Sequence, residues 1–362
     1  MSILKPVDDT RMFEKMGASL ARSGSYEVFI IGFSAISPPV YDGITFIPLP
    51  VFQRLSVQRI AAKWRAFWRA LKLRPSIIIF TTHELLFPAI LLKILTPVFI
   101  IYDVRENYYR NLLLSGNFPR MVRWPLALYV RFREKLLAPA VDHFFLAEQG
   151  YEQEFKFHRA GWTVIENKAT YQQTAEHPRE KVPGQIRLLF SGTLSESTGV
   201  FRAIALTKGL HQLDSSISLT LVGYAALPAE RQRILKEVRT HSFINLVGGD
   251  RLVPHASLVK CFRRTDFGIL SYPASDHTLN SRPTKLFEYL AAHLPIIVER
   301  NWSWIGQFSA CVPFVFVNFS KPDYPSLLKE LKTKAFYSHA PEGVTWGSEE
   351  AKLLKALEQL IA

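Results

Sequence analysis

Residues 280–298, Asn-Ser-Arg-Pro-Thr-Lys-Leu-Phe-Glu-Tyr-Leu-Ala-Ala-His-Leu-Pro-Ile-Ile-Val, combine a helix start, cations, a carboxylate and a buried strand. Pro283 suits the first helical position, where its missing N–H costs nothing. The unpaired N–H groups of that first turn, with Arg282 and Lys285, make a place for an anion. A cation in a first turn opposes the helix dipole unless an anion shares the place, so Lys285 points to phosphate. Glu288 stands more than one turn further in. Ionised, it only accepts hydrogen bonds, which suits a pair of hydroxyls. Phosphate at a helix tip and ribose hydroxyls further along is a way to hold a nucleoside diphosphate.

Such a helix needs a sheet behind it. Apolar runs at 28–32, 77–80, 98–102 and 143–146 read as buried strands, with helical patterns at 13–22, 55–71 and 125–137 between them. Residues 167–185 are polar, hold two prolines and read as a linker. The alternation then restarts with strands at 186–190, 219–222, 244–247, 267–270 and 296–298. Strands alternating with helices mean βαβ units and parallel sheets. The expected fold is therefore α/β, with two Rossmann-like, doubly wound parallel-sheet domains facing a central cleft. Residues 1–166 form the first domain, 167–185 the linker and 186–340 the second. In 341–362 a helix with apolar Leu353, Leu354, Leu357 and Leu360 on one face is expected to pack back toward the first domain.

Composition narrows the partners. The 362 residues carry a net charge of +13, which favours an anionic partner. No aromatic RNA platform or helix-turn-helix pattern appears, so nucleic acid is not expected. Two cysteines without metal-ligand spacing fit a reducing compartment and no metal site. Residues 1–11 lack the apolar core of a secretory signal. The most apolar window, 85–101, is interrupted by Pro88, Lys93 and Pro97 and reads as too short to span a bilayer. The expectation is a cytoplasmic protein.

The second domain resembles the nucleotide-binding domain of the two-Rossmann (GT-B) glycosyltransferases, most closely the retaining family 4. Three segments carry the resemblance: 190–194 (Phe-Ser-Gly-Thr-Leu) with Gly199, 266–273 (Asp-Phe-Gly-Ile-Leu-Ser-Tyr-Pro), and 283–298. In the first domain, 102–107 (Tyr-Asp-Val-Arg-Glu-Asn) is similar to the family's "YD-x-HEN" element, and 164–167 to its "V-I-x-N". The resemblance implies transfer of a sugar from a nucleoside diphosphate-sugar, UDP or GDP, to a glycan or lipid-linked acceptor of the cell envelope. It implies retention, no metal and no other cofactor. By the same resemblance Gly192, Thr193, Tyr272, Asn280, Arg282, Lys285 and Glu288 would meet the donor, and the loop at 253–255 would lie beside the base.

There are departures. Asn280 stands where the family has the first of two glutamates. Thr193 and Thr198 replace a loop arginine and lysine, and Arg105 replaces the "HEN" histidine. Glu106, His83 and Asp103, near strand ends of the first domain, are the candidate bases. Two rival readings are a catalytically silent partner subunit, suggested by the lost charges, and a nucleotide-sugar epimerase on the same plan.

The segment 51–74 holds seven cations and no acid. Val57, Ile60, Ala61, Trp64, Trp68 and Leu71 recur at helical spacing, with Arg59, Lys63, Arg65 and Arg69 among the cations. That pattern fits a helix lying on an anionic membrane surface, on the inner face of the plasma membrane. It equally fits a helix packing its apolar stripe on the sheet.

Overall fold

Short runs of Val, Ile and Phe become strands where both faces of a sheet are covered. The computed structural model describes residues 1–34, 39–52, 56–114, 119–155, 160–170, 180, 182–273 and 281–361. The chain divides into two compact units. One comprises Met1–Asn167 with Trp346–Ala362, the other Lys168–Thr345.

In the first unit β1 (Val28–Phe33) pairs in parallel with β2 (Ile44–Leu49). A second parallel sheet runs β3 (Ile77–Phe80), β4 (Phe99–Val104), β5 (His143–Leu146), β6 (Gly161–Val164). The first residues of the chain join them. Ser2 N–H donates to Ile31 O and Phe33 N–H to Lys5 O, while Thr81 N–H donates to Met1 O. Arg11–Gly17 winds as a π-helix and continues as an α-helix to Arg22. The Gly347–Ile361 helix packs Leu353, Ala356 and Leu357 into the apolar cluster formed by Met12, Met16 and Ile165. Arg11 is fully buried. Its Nε and Nη2 donate to both oxygens of Asp103, at 2.6–3.2 Å, and Nη1 donates to Ile165 O.

The second unit is one six-stranded parallel sheet in the order β12-β11-β10-β7-β8-β9. The strands are β7 (Ile186–Thr193), β8 (Ile217–Tyr224), β9 (Ile244–Gly249), β10 (Phe267–Leu270), β11 (Ile296–Val298) and β12 (Phe314–Phe316). Side chains alternate between its faces: Leu188 and Phe190 enter one core, Leu189 the other. The chain runs from β7 outward to β9, then returns to lay β10 on the other side of β7. The strand order therefore reverses between β7 and β10, the place where an open parallel sheet binds its ligand.

Three strands escape the sequence reading: β2, β6 and β12. Each lies at the edge of its sheet: β6 is largely exposed and β12 is only three residues long. β2 even contains Pro48, which an edge tolerates. One helix also departs from expectation. The helix expected at 55–71 spans Gln58–Leu73 (53–55 lie outside the described residues) and buries Ala62, Ala66, Phe67 and Ala70. The stripe read from the sequence packs only in part: Trp64 and Leu71 lie against the core, whereas Val57, Ile60 and Trp68 are exposed. Small alanines let this helix approach the core closely and leave much of its bulky stripe outside.

The Arg11–Asp103 pair ties the first helix to the end of β4. Asp103→Ala would strand a buried guanidinium, so it should cost the first unit about 3–5 kcal/mol. Urea unfolding of the full chain measures this; a loss below about 1 kcal/mol would show the pair is not structural.

Candidate functional site

Near their carboxyl ends β7, β8 and β9 carry a row of glycines. Gly192, Gly223 and Gly248 are direct partners across the three strands. A Cβ at Gly223 would meet Gly192 O at 1.7 Å, and one at Gly248 would meet Gly223 O at 2.5 Å. Gly192 also has φ +96°, a conformation that other residues adopt only under strain. Beyond it, Thr198 closes the loop: its hydroxyl donates to Thr193 O, and its N–H bonds to Ser195 Oγ in a capping box. Gly199, at φ +85°, then opens the Val200–Leu213 helix. Its own carbonyl accepts from Ser271 Oγ at 2.8 Å, so the loop is tied to the end of β10.

Opposite this loop stands the Thr284–Ala291 helix. Pro283 has extended backbone (ψ 144°) and precedes the first turn, where the sequence placed it inside; Pro283 at the cap position brings no side-chain hydrogen bond to this end. The helix is pinned by Tyr289, which fills the space left by Gly268. Tyr289 Oη accepts from Ser191 N–H at 3.1 Å and lies 3.0 Å from Ser191 Oγ. One turn earlier Lys285 reaches across Gly192, where a Cβ would come within 2.6 Å of the lysine Cε. Its Nζ lies 4.0 Å from the centre of the Phe190 ring and 5.1 Å from that of Tyr272. Lys285 is 6% exposed, and Nζ finds no hydrogen-bond partner among the described residues. Burial lowers its pKa from 10.5 to about 7, and the charge of Glu288 opposes that shift. A buried ammonium held by two ring faces is electrostatically incomplete. An oxyanion placed over Gly192 would complete it.

Glu288 is half-buried one turn on, with Oε1 3.9 Å from His255 Nε2. Val253 of the same loop packs over Gly248. The structure thus brings Gly192, Tyr272, Lys285, Glu288 and the 253–255 loop to one end of one sheet. Thr193 is exposed beside them. Arg282 is engaged by Gln307, and Ser281 O accepts from Trp304 Nε1–H at 2.9 Å. Asn280 lies outside the described residues. Sequence reasoning missed the glycine row, because residues 192, 223 and 248 become neighbours only through strand register. It also missed Tyr289, whose role depends on a hydroxyl meeting Ser191.

The candidate bases of the first unit are each engaged by a neighbour. Asp103 is spent on Arg11 and has no exposure. Glu106 faces Lys5 at 3.4 Å and is 43% exposed. His83 stacks on Tyr108 and contacts Glu84 at 3.2 Å; burial lowers its pKa to about 4, which keeps it neutral and weakly basic. Arg59 pairs with Glu84. An unforeseen group is Glu134, whose pKa burial raises to about 7 against the opposing charge of Arg131. Its Oε1 accepts from Tyr102 Oη at 3.2 Å. Among the described residues no cluster of His, Cys, Asp and Glu has the makings of a metal site.

Two parallel-sheet units, the second with a strand-order reversal beside β7, define a class of fold, and solved structures share it. The chain superposes on GT-B glycosyltransferases and has their fold. One is sucrose-phosphate synthase from Thermosynechococcus elongatus, at TM-score 0.70 and 14% identity, covering 95% of this chain and 91% of that one. Another is WaaG, a glycosyltransferase involved in lipopolysaccharide biosynthesis, at 0.63 and 13%, covering 99% and 97%. A third is Anabaena HepE in complex with UDP and glucose, at 0.64 and 11%, covering 94% of each chain. No family model and no curated protein sequence matches the chain.

The state of Lys285 has a consequence for stability. Its folded pKa of about 7 lies below the ordinary 10.5. Between those values the unfolded chain binds more protons, so this residue's contribution to stability grows as pH rises from 7 and is smallest below it. Lys285→Met keeps the apolar stem and removes the charge. It should stabilise the ligand-free protein by about 1–3 kcal/mol at pH 6, with a smaller gain at pH 9. Denaturation at both pH values checks this, and a loss of stability at pH 6 would mark the lysine as structural.

Proposed function

We propose that this chain is a glycosyltransferase that moves a sugar from a nucleoside diphosphate-sugar to an acceptor, with the donor held by the second unit. The observation that carries the reading is the buried Lys285 ammonium over Gly192, at the end of β7 where the strand order reverses. Its charge would meet the donor diphosphate, together with N–H groups of the glycine loop and the start of the Thr284–Ala291 helix. Glu288 would accept from the ribose hydroxyls, and the 253–255 loop would flank the base.

The reaction breaks the anomeric C–O bond to the diphosphate through an oxocarbenium-like state. Charge then builds on the departing phosphate, so Lys285 and the N–H groups stabilise the transition state more than the ground state. No strong base from the protein is needed if the leaving phosphate takes the acceptor proton, which gives retention without metal. This accords with the first unit, where Asp103 is spent and His83 is kept at a pKa of about 4. The first unit would take the acceptor, a glycan or lipid-linked glycan of the cell envelope. UDP is the favoured nucleotide: HepE, in this fold, is recorded with UDP.

Calorimetry with UDP, GDP and their sugar conjugates tests this reading. One diphosphate should bind at pH 6, and its affinity should fall about tenfold per pH unit above 7, as the free protein loses the Lys285 proton. Lys285→Met should remove that pH dependence and most of the affinity. Glu288→Ala should weaken binding by about tenfold. Absence of binding by every nucleotide at pH 6 would favour a catalytically silent subunit and sink the enzyme reading.

A further inference from the structure

We propose that the first unit docks on anionic lipid bilayers through one face built from three helices. Over half of the exposed large apolar side chains among the described residues fall on Gln58–Leu73, with Val57 just before it, on Leu86–Leu95 and on Arg120–Leu137. The middle helix contacts both of the others, and Trp64 meets Phe87 edge-on at 6.3 Å. Each helix turns an apolar stripe outward at helical spacing. Trp68 is 58% exposed, Ile94 74%, Phe132 63% and Leu136 62%. The packed sides are elsewhere: Ala62, Ala66 and Ala70 on the first helix, Ala89 and Leu92 on the second, Ala127 and Val130 on the third.

Charge selects the occupant. The first and third helices carry five Lys or Arg each and the middle helix one. Their single acid, Glu134, is buried. Arg65, Arg69 and Lys72 are exposed beside Trp68. A second copy of the chain would set this basic face against itself, which like charges oppose. Exposed Trp124 and Tyr129 have an apolar body and a polar tip, the composition that settles at a lipid–water boundary. From Met121 to Leu136 the apolar stripe runs about 22 Å along its helix, so the helix would lie flat in that boundary. Among the described residues no helix is long and apolar enough to cross a membrane. The occupant of this face is therefore a bilayer surface with anionic headgroups. It stands on these helices alone and does not depend on the donor site.

Co-sedimentation of the full chain with phosphatidylcholine vesicles, with and without phosphatidylglycerol, tests the proposal. Binding should require phosphatidylglycerol. Arg65→Gln with Arg69→Gln should weaken it by about tenfold or more, with loss of sensitivity to salt. Leu128→Glu with Phe132→Glu, both on the outer stripe, should abolish it while nucleotide affinity stays unchanged. Brominated lipid should quench tryptophan fluorescence of the unsubstituted protein, a readout that does not rely on variants folding. Equal sedimentation with and without phosphatidylglycerol, or unchanged binding by both double variants, would overturn the proposal. So would a stable dimer that forms in place of vesicle binding and is broken by Phe132→Glu.

Discussion

An ammonium group buried without a hydrogen-bonding partner is costly, and the second unit is arranged around one. Lys285 is held by ring faces at a strand end that carries glycine. Removing charge from water costs several kcal/mol unless something nearby restores the lost solvation. Here the cost is reduced by pushing the pKa down to about 7. The site therefore stays near its own titration point until an anion arrives. Gly192 leaves the space that Lys285 crosses, and the Tyr289–Ser191 bond fixes the helix that carries it.

The departures of the sequence from the GT-B pattern acquire a physical meaning from this arrangement. Thr193 and Thr198 bring no charge to the glycine loop, and Thr198 is used to close it. Arg282 is turned to Gln307. In the proposed donor site Lys285 would carry a larger share of the electrostatic work than it would with loop cations beside it. A lysine that does so gains from a dry setting, because low polarity strengthens its attraction for phosphate as it lowers its pKa.

Much of this was legible in the sequence, and the illegible parts share a cause. The longer buried strands announced themselves as apolar runs, whereas β6 is largely exposed, β2 is interrupted by Thr45 and Pro48, and β12, though apolar, is only three residues long. Lys285 and Glu288 were legible because a helix start fixes what its first two turns can face. The pairing of Asp103 with Arg11 was not, because the partners lie far apart in the chain and meet only after β4 and the first helix pack. The basic helix at Gln58–Leu73 was read correctly as a helix, and its alanines were the overlooked signal. Small residues mark the packed side, with Trp64 at its margin and Trp68 facing outward.

The central claim concerns one proton on one nitrogen, so the most direct measurement is an NMR titration of Lys285. The side chain would be isotopically labelled and followed with and without UDP. The account predicts a pKa near 7 in the free protein and a rise of at least about one unit when UDP binds, as the phosphate restores the lost solvation. An ordinary lysine value near 10.5 in the free protein, or a lowered value that UDP binding leaves unmoved, would contradict it.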